Sequence, residues 1–183
     1  MASYYGNLNA SFNIGRDQNQ IQKFYEYVES FMDALEPYWK ACEEESLVNG
    51  ATWLMDFDER GKEKALKRIK KGGVQRFTED ETVAPETLEV FEYFIKGFSK
   101  RLPDVQFHAT VCVGSYRAGW ELSETFTSQP DGTYTNTWDV DWDVVDDDVD
   151  DGYLIDAIFD GCIGSDVPPE YSKSIRNVQD LIG

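Results

Sequence analysis

The stretch Trp138–Asp151, WDVDWDVVDDDVDD, limits the folding options of this chain more than any other. Trp138, Val140, Trp142 and Val144 alternate with Asp139, Asp141 and Asp143. Successive strand residues point to opposite faces, so the pattern predicts a strand with an apolar face on a core and a carboxylate face in solvent. Asp146, Asp147, Asp148, Asp150 and Asp151 follow as a denser cluster, expected at an edge or turn. Between Arg117 and Lys173 there are fifteen acids and no Lys or Arg, which leaves 20 acids against 17 bases elsewhere. Nearly all of the net charge of −18 is therefore carried by one segment.

With 183 residues, 41% apolar and 14% aromatic, the chain has material for a real core and is not an acidic disordered tail. The expected layout is an α+β domain over residues 1–150 and a helical C-terminal extension over 151–183 packed on it. No apolar run reaches the roughly 18–20 residues of a membrane span. The N-terminus, MASYYGNLNASF, lacks a basic region followed by an apolar one, so a cytoplasmic location is expected. Cys42, Cys112 and Cys162 are far apart, and His108 is the single histidine. That spacing argues against a zinc site and a disulfide framework, and no cofactor is expected.

Residues 3–15 read as a strand ending in a turn, and Asp17 as the N-cap of the helix that follows. Ile21, Phe24, Val28, Phe31, Met32 and Leu35 recur at helical spacing, and Pro37 is expected to end or kink this helix near Glu36. Leu47–Phe57 reads as a strand interrupted by Asn49–Gly50. Eight of the 17 bases fall between Arg60 and Arg76. This short basic helix reads as a solvated face or an internal counter-surface to the acidic run, in preference to a nucleic-acid site. Val74–Phe77 is a short strand. Pro85 opens a second amphipathic helix carrying Leu88, Phe91, Phe94 and Phe98, which ends near Lys100–Arg101. Val105–Val113, Tyr116–Phe126 and Tyr134–Val145 predict an antiparallel meander, with a tight connection at Gly114–Ser115 and a turn at Gln129–Gly132. Tyr153–Ile163 and the segment after Pro168–Pro169 are expected to be helical.

This order approaches a split βαβ plan. Within it, Thr82–Thr135 runs from the lead-in TVAPETLEVFEYF through a helix ending in Leu-Pro-Asp, a strand, a Gly-containing break and a strand bearing Ala118-Gly119-Trp120. The segment resembles the YubB-type (Api-like) ferredoxin-like domain of phage and plasmid proteins, over about a third of the chain. The resemblance implies a ferredoxin-like antiparallel sheet with two packed amphipathic helices and a mobile-element context, and it implies no catalytic residues.

Three chemistries compete for the acidic run. Aligned as an EF-hand with Gly152 at the glycine position, the run offers Asp147 and Asp151 but Val149 and Ile158 at two ligand positions, including the bidentate one. No metal ligand is assigned on that pattern. Carboxylate-paired catalysis normally needs a Lys, His or Arg close by, and the segment has none of its own, so no catalytic residue is assigned. Alternate strand residues stand about 6.8 Å apart, comparable with the pitch of nucleic-acid phosphates. Asp139, Asp141, Asp143, Asp146, Asp147, Asp148, Asp150 and Asp151 are accordingly the expected partner-binding residues of a nucleic-acid mimic. Its partner would be a basic channel in a host defence protein such as a CRISPR effector or restriction enzyme. The alternatives are an acidic divalent-metal-binding protein or a solubilised protein-interaction module.

Overall fold

The computed structural model describes residues 4–44, 50–54, 59–80, 83, 85–115 and 120–142. Five strands and three helices follow in the order β1 (Tyr4–Asn13), α1 (Gln18–Glu44), α2 (Glu59–Ile69), β2 (Val74–Asp80), α3 (Pro85–Arg101), β3 (Gln106–Ser115), β4 (Trp120–Ser128) and β5 (Tyr134–Trp142). The architecture is α+β, with one antiparallel sheet in the order β2-β1-β3-β4-β5.

β1 lies between β2 and β3 and is antiparallel to both, so β2 and β3 run parallel to each other. Parallel strands need a crossover, and α3 supplies it. The connection from β1 to β2 runs through α1 and α2, which pack on each other. β3, β4 and β5 form the expected meander.

Alternation separates the two faces of the sheet. Leu8, Ala10 and Phe12 of β1, Phe77 of β2, Phe107, Ala109, Val111 and Val113 of β3, and Leu122 and Phe126 of β4 are buried on one face. Phe12 is its centre. Its ring lies 4.8 Å from Phe98, 5.7 Å from Phe94 and Phe107, and 5.8 Å from Phe24 and Phe77, mostly edge-to-face. Edge-to-face pairs contribute about 0.5–1.5 kcal/mol each beyond burial of their area. These contacts bind three strands to α1 and α3 at one point. The Tyr27 hydroxyl adds a hydrogen bond, donated to the Phe94 carbonyl at 2.6 Å. The opposite face carries Asn7, Asn9, Ser11, His108, Thr110, Ser123 and Thr125, and these residues are at least partly exposed.

Asp17 caps α1 as expected, its Oδ1 accepting from the Gln20 backbone N–H at 2.9 Å. The helix does not stop at Pro37 but continues to Glu44. A proline inside a helix costs about 3 kcal/mol, because it lacks an N–H and crowds the preceding turn. Leu35 and Trp39 are buried on either side of Pro37, and Lys40 pairs with Glu36 at 2.6 Å across it. Packing of the flanking turns offsets the local penalty.

Two further expectations change. Gly50–Leu54 forms turns and not a strand, and it buries Ala51, Trp53 and Leu54 against the core without joining the sheet. Gly114–Ser115 ends β3, paired with Tyr5 and Tyr4. The expected basic helix is present as α2, and it packs through Leu66 and Ile69. The expected C-terminal helices, and with them the 151–183 extension, lie outside the described residues.

Candidate functional site

Among the described residues, β5 is one edge of the sheet. Trp138 packs against the core, as its place in the alternation predicts, while Asp139 and Asp141 are exposed. Asp139 pairs with Ser123 and Asp141 with Glu121, so all four share the face of the sheet that carries no helix among the described residues. Glu121 is a member of the acidic surface that the local pattern did not single out. Like charges directly opposite each other on a sheet are destabilising. β3, β4 and β5 contain no Lys or Arg to offset them. Of the expected partner-binding residues, the structure places Asp139 and Asp141. Asp143, Asp146, Asp147, Asp148, Asp150 and Asp151 lie outside the described residues.

The basic segment does not face Asp139 and Asp141. α2 packs beside β2, the other edge of the sheet. Four strand spacings, about 19 Å, separate β2 from β5. The expected counter-surface relation therefore fails for these two carboxylates, and the sheet has a basic edge and an acidic edge.

Glu124 was missed. It lies between Leu122 and Phe126 on the buried face of β4 and is 0% exposed. The Asn136 amide donates to its Oε1 at 2.8 Å, while Oε2 is buried without a hydrogen bond among the described residues. Burial pushes its carboxyl up to about 8, against the Asn136 hydrogen bond; Glu92 raises it further and Lys96 lowers it. Glu124 is therefore mostly protonated at neutral pH. Burial also raises Tyr134, helped by Glu92 and Glu124. The alternation of β4, read strictly, assigns Glu124 to the core and was the available signal.

His108 is exposed, with Nδ1 3.2 Å from the Thr127 hydroxyl on the neighbouring strand. Cys112 is a buried free thiol whose pKa burial raises, which disfavours the reactive thiolate. Among the described residues, no group of three His, Cys, Asp or Glu is placed to hold a metal ion. No helix among them is long and apolar enough to cross a membrane. Searched against family models, curated proteins and solved structures, the chain matches none.

Proposed function

We propose that this chain is a non-enzymatic acidic binding protein that competes with nucleic acid for a basic surface on another protein. The observation that carries the reading is the placement of Asp141 opposite Glu121, with Asp139 one pleat away, on the face away from the core of strands without a cation. Each charge placed opposite its like costs stability, which a solvated surface has no need to incur. The Asp143–Asp151 run would extend this surface along the chain. Carboxylates about 6.8 Å apart on a rigid strand match the spacing of a phosphate backbone better than a flexible tail does.

The partner class that fits is a nucleic-acid-binding channel lined with Lys and Arg, as in a CRISPR effector or restriction enzyme. Such a role belongs in a host cytoplasm and with a phage- or plasmid-borne protein of the YubB (Api-like) kind. The split βαβ arrangement, with β1 between β2 and β3, is compatible with the ferredoxin-like class on which that kinship rests. A helical 151–183 extension packed on the sheet domain completes the proposed layout. The test is binding to a basic nucleic-acid-binding protein under rising salt and with competing duplex DNA. Mimicry predicts a steep loss with salt and displacement by DNA.

A further inference from the structure

The basic edge carries a second site. Between α2, β2 and the Gly50–Leu54 turn lies a cleft of about 490 Å³. Lys64, Lys67, Arg68, Lys71 and Arg76 line it, and among the described residues Glu79 is the single acid on its wall. Trp53 and Phe77 are buried beneath them. The volume lies within the roughly 300–1,000 Å³ of ordinary small-ligand sites.

Three features separate this cleft from a solvated lysine face. First, among the described residues Lys64, Lys67, Lys71 and Arg76 take part in no ion pair. The other side of the same helix is different. There Lys62 pairs with Asp33, Lys70 lies over the Tyr25 ring at 4.8 Å, and Glu29 and Glu63 are interleaved with the lysines. Acids thus stand among the cations on that side, which Lys67 also borders, while the side facing the cleft has Glu79 as its one acid among the described residues.

Second, Lys64, Lys67 or Arg68, and Lys71 follow the three- and four-residue spacing that stacks side chains along one helix stripe. Like charges at that spacing destabilise a helix. The helix dipole favours cations in the last turn, which accounts for Lys67 and Arg68, with Lys71 in the turn just beyond. It does not account for Lys64, nearer the middle, or for Arg76, contributed by the strand.

Third, the Arg68 guanidinium sits 5.3 Å from the centre of the Phe77 ring. That contact fixes one cation in place before any ligand arrives.

We infer that the α2–β2 cleft binds a small polyphosphate ligand of nucleotide size. A ligand with several negative charges neutralises cations from two elements at once. Arg forks match phosphate oxygens bidentately, and Lys serves as a mobile point charge. The inference is independent of the acidic edge and stands or falls by itself.

The test titrates the full chain with pyrophosphate and with ATP at low salt, following melting temperature and heat of binding. Saturable binding that raises the melting temperature and weakens with salt is expected. The variant carrying Lys64→Ala, Lys67→Ala and Lys71→Ala should lose at least about tenfold in affinity, roughly 1.4 kcal/mol. Lys70→Ala, which removes one charge from the side of the helix away from the cleft, should change affinity less than about twofold. Circular dichroism and unliganded melting show whether each variant folds, and these exposed changes are expected to preserve the fold.

No saturable effect at about 10 mM ligand would overturn the inference. So would equal affinity for an oligo-aspartate peptide, which would show that the cleft reads charge alone. A single-stranded oligonucleotide bound at least about tenfold more tightly than ATP through the same lysines would overturn the small-ligand assignment in favour of a nucleic-acid strand.

Discussion

Glu121 and Asp141 face each other across the β4–β5 pair, on the side of the sheet opposite the buried core. Neither has a cation on its own or the adjacent strand. Replacing Glu121 by Gln removes the repulsion and keeps the shape. The variant should gain about 0.2–1 kcal/mol in urea denaturation at low salt, with a smaller gain at high salt. It should also bind a basic partner more weakly. An unchanged denaturation midpoint at low salt would mean that solvent already screens the pair fully.

Glu124 sets a pH dependence of the opposite sense to that of a surface carboxylate. Its folded-state value is raised from 4.5 to about 8, chiefly by burial. Between those two values the folded chain holds a proton that the unfolded chain has released. Stability attributable to this group is therefore full below pH 4.5 and falls as pH rises towards about 8, by up to about 1.4 kcal/mol per unit. Glu124→Gln keeps an acceptor for Asn136 and cannot ionise. Its denaturation midpoint should exceed that of the parent chain at pH 8 and converge with it near pH 5, by the same linkage. Parallel pH profiles would show that Glu124 does not titrate in this range.

Pro37 is a penalty retained inside α1. Pro37→Ala restores an N–H and relieves the crowded turn, against a small entropy gain in the unfolded chain. Thermal melting should show a net stabilisation of about 2 kcal/mol. A loss of stability would show that the helix is bent to suit its packing and that the proline supports the bend.

Phe12→Ala empties the centre of the aromatic cluster. It should cost about 3–5 kcal/mol in denaturant titration, a large part of a typical domain's stability. A cost under about 1 kcal/mol would mean that the neighbouring rings collapse into the space.

Elements whose signals are local were legible in the sequence. Asp17 caps α1 through its own carboxylate, and Pro85 and Lys100–Arg101 mark the ends of α3. The alternation of Trp138 to Trp142 correctly separated a core-facing Trp138 from the exposed Asp139 and Asp141. Pro37 did not end the helix, because a local penalty was outweighed by burial of Leu35 and Trp39. The strand expected around Leu47–Phe57 rested on apolar content, but Trp53 and Leu54 reach the core from a turn.

The sheet order could not be read locally. It depends on pairs such as Ser11 with His108, 97 residues apart in sequence. The partnership of Glu121 with Asp141 and the convergence of Arg76 with Lys64 are likewise products of register and packing. Glu124 was visible in principle, since strict alternation in β4 places it between Leu122 and Phe126.

The most direct test of the central claim is capture of a basic nucleic-acid-binding protein on the immobilised chain, with duplex DNA as competitor. The comparison variant carries Asp139→Asn, Asp141→Asn, Asp143→Asn, Asp147→Asn, Asp148→Asn and Asp150→Asn. The account predicts that the parent chain binds, that DNA or high salt releases the partner, and that the variant folds with equal or greater stability yet no longer binds. Equal capture by the parent chain and the folded variant would contradict it.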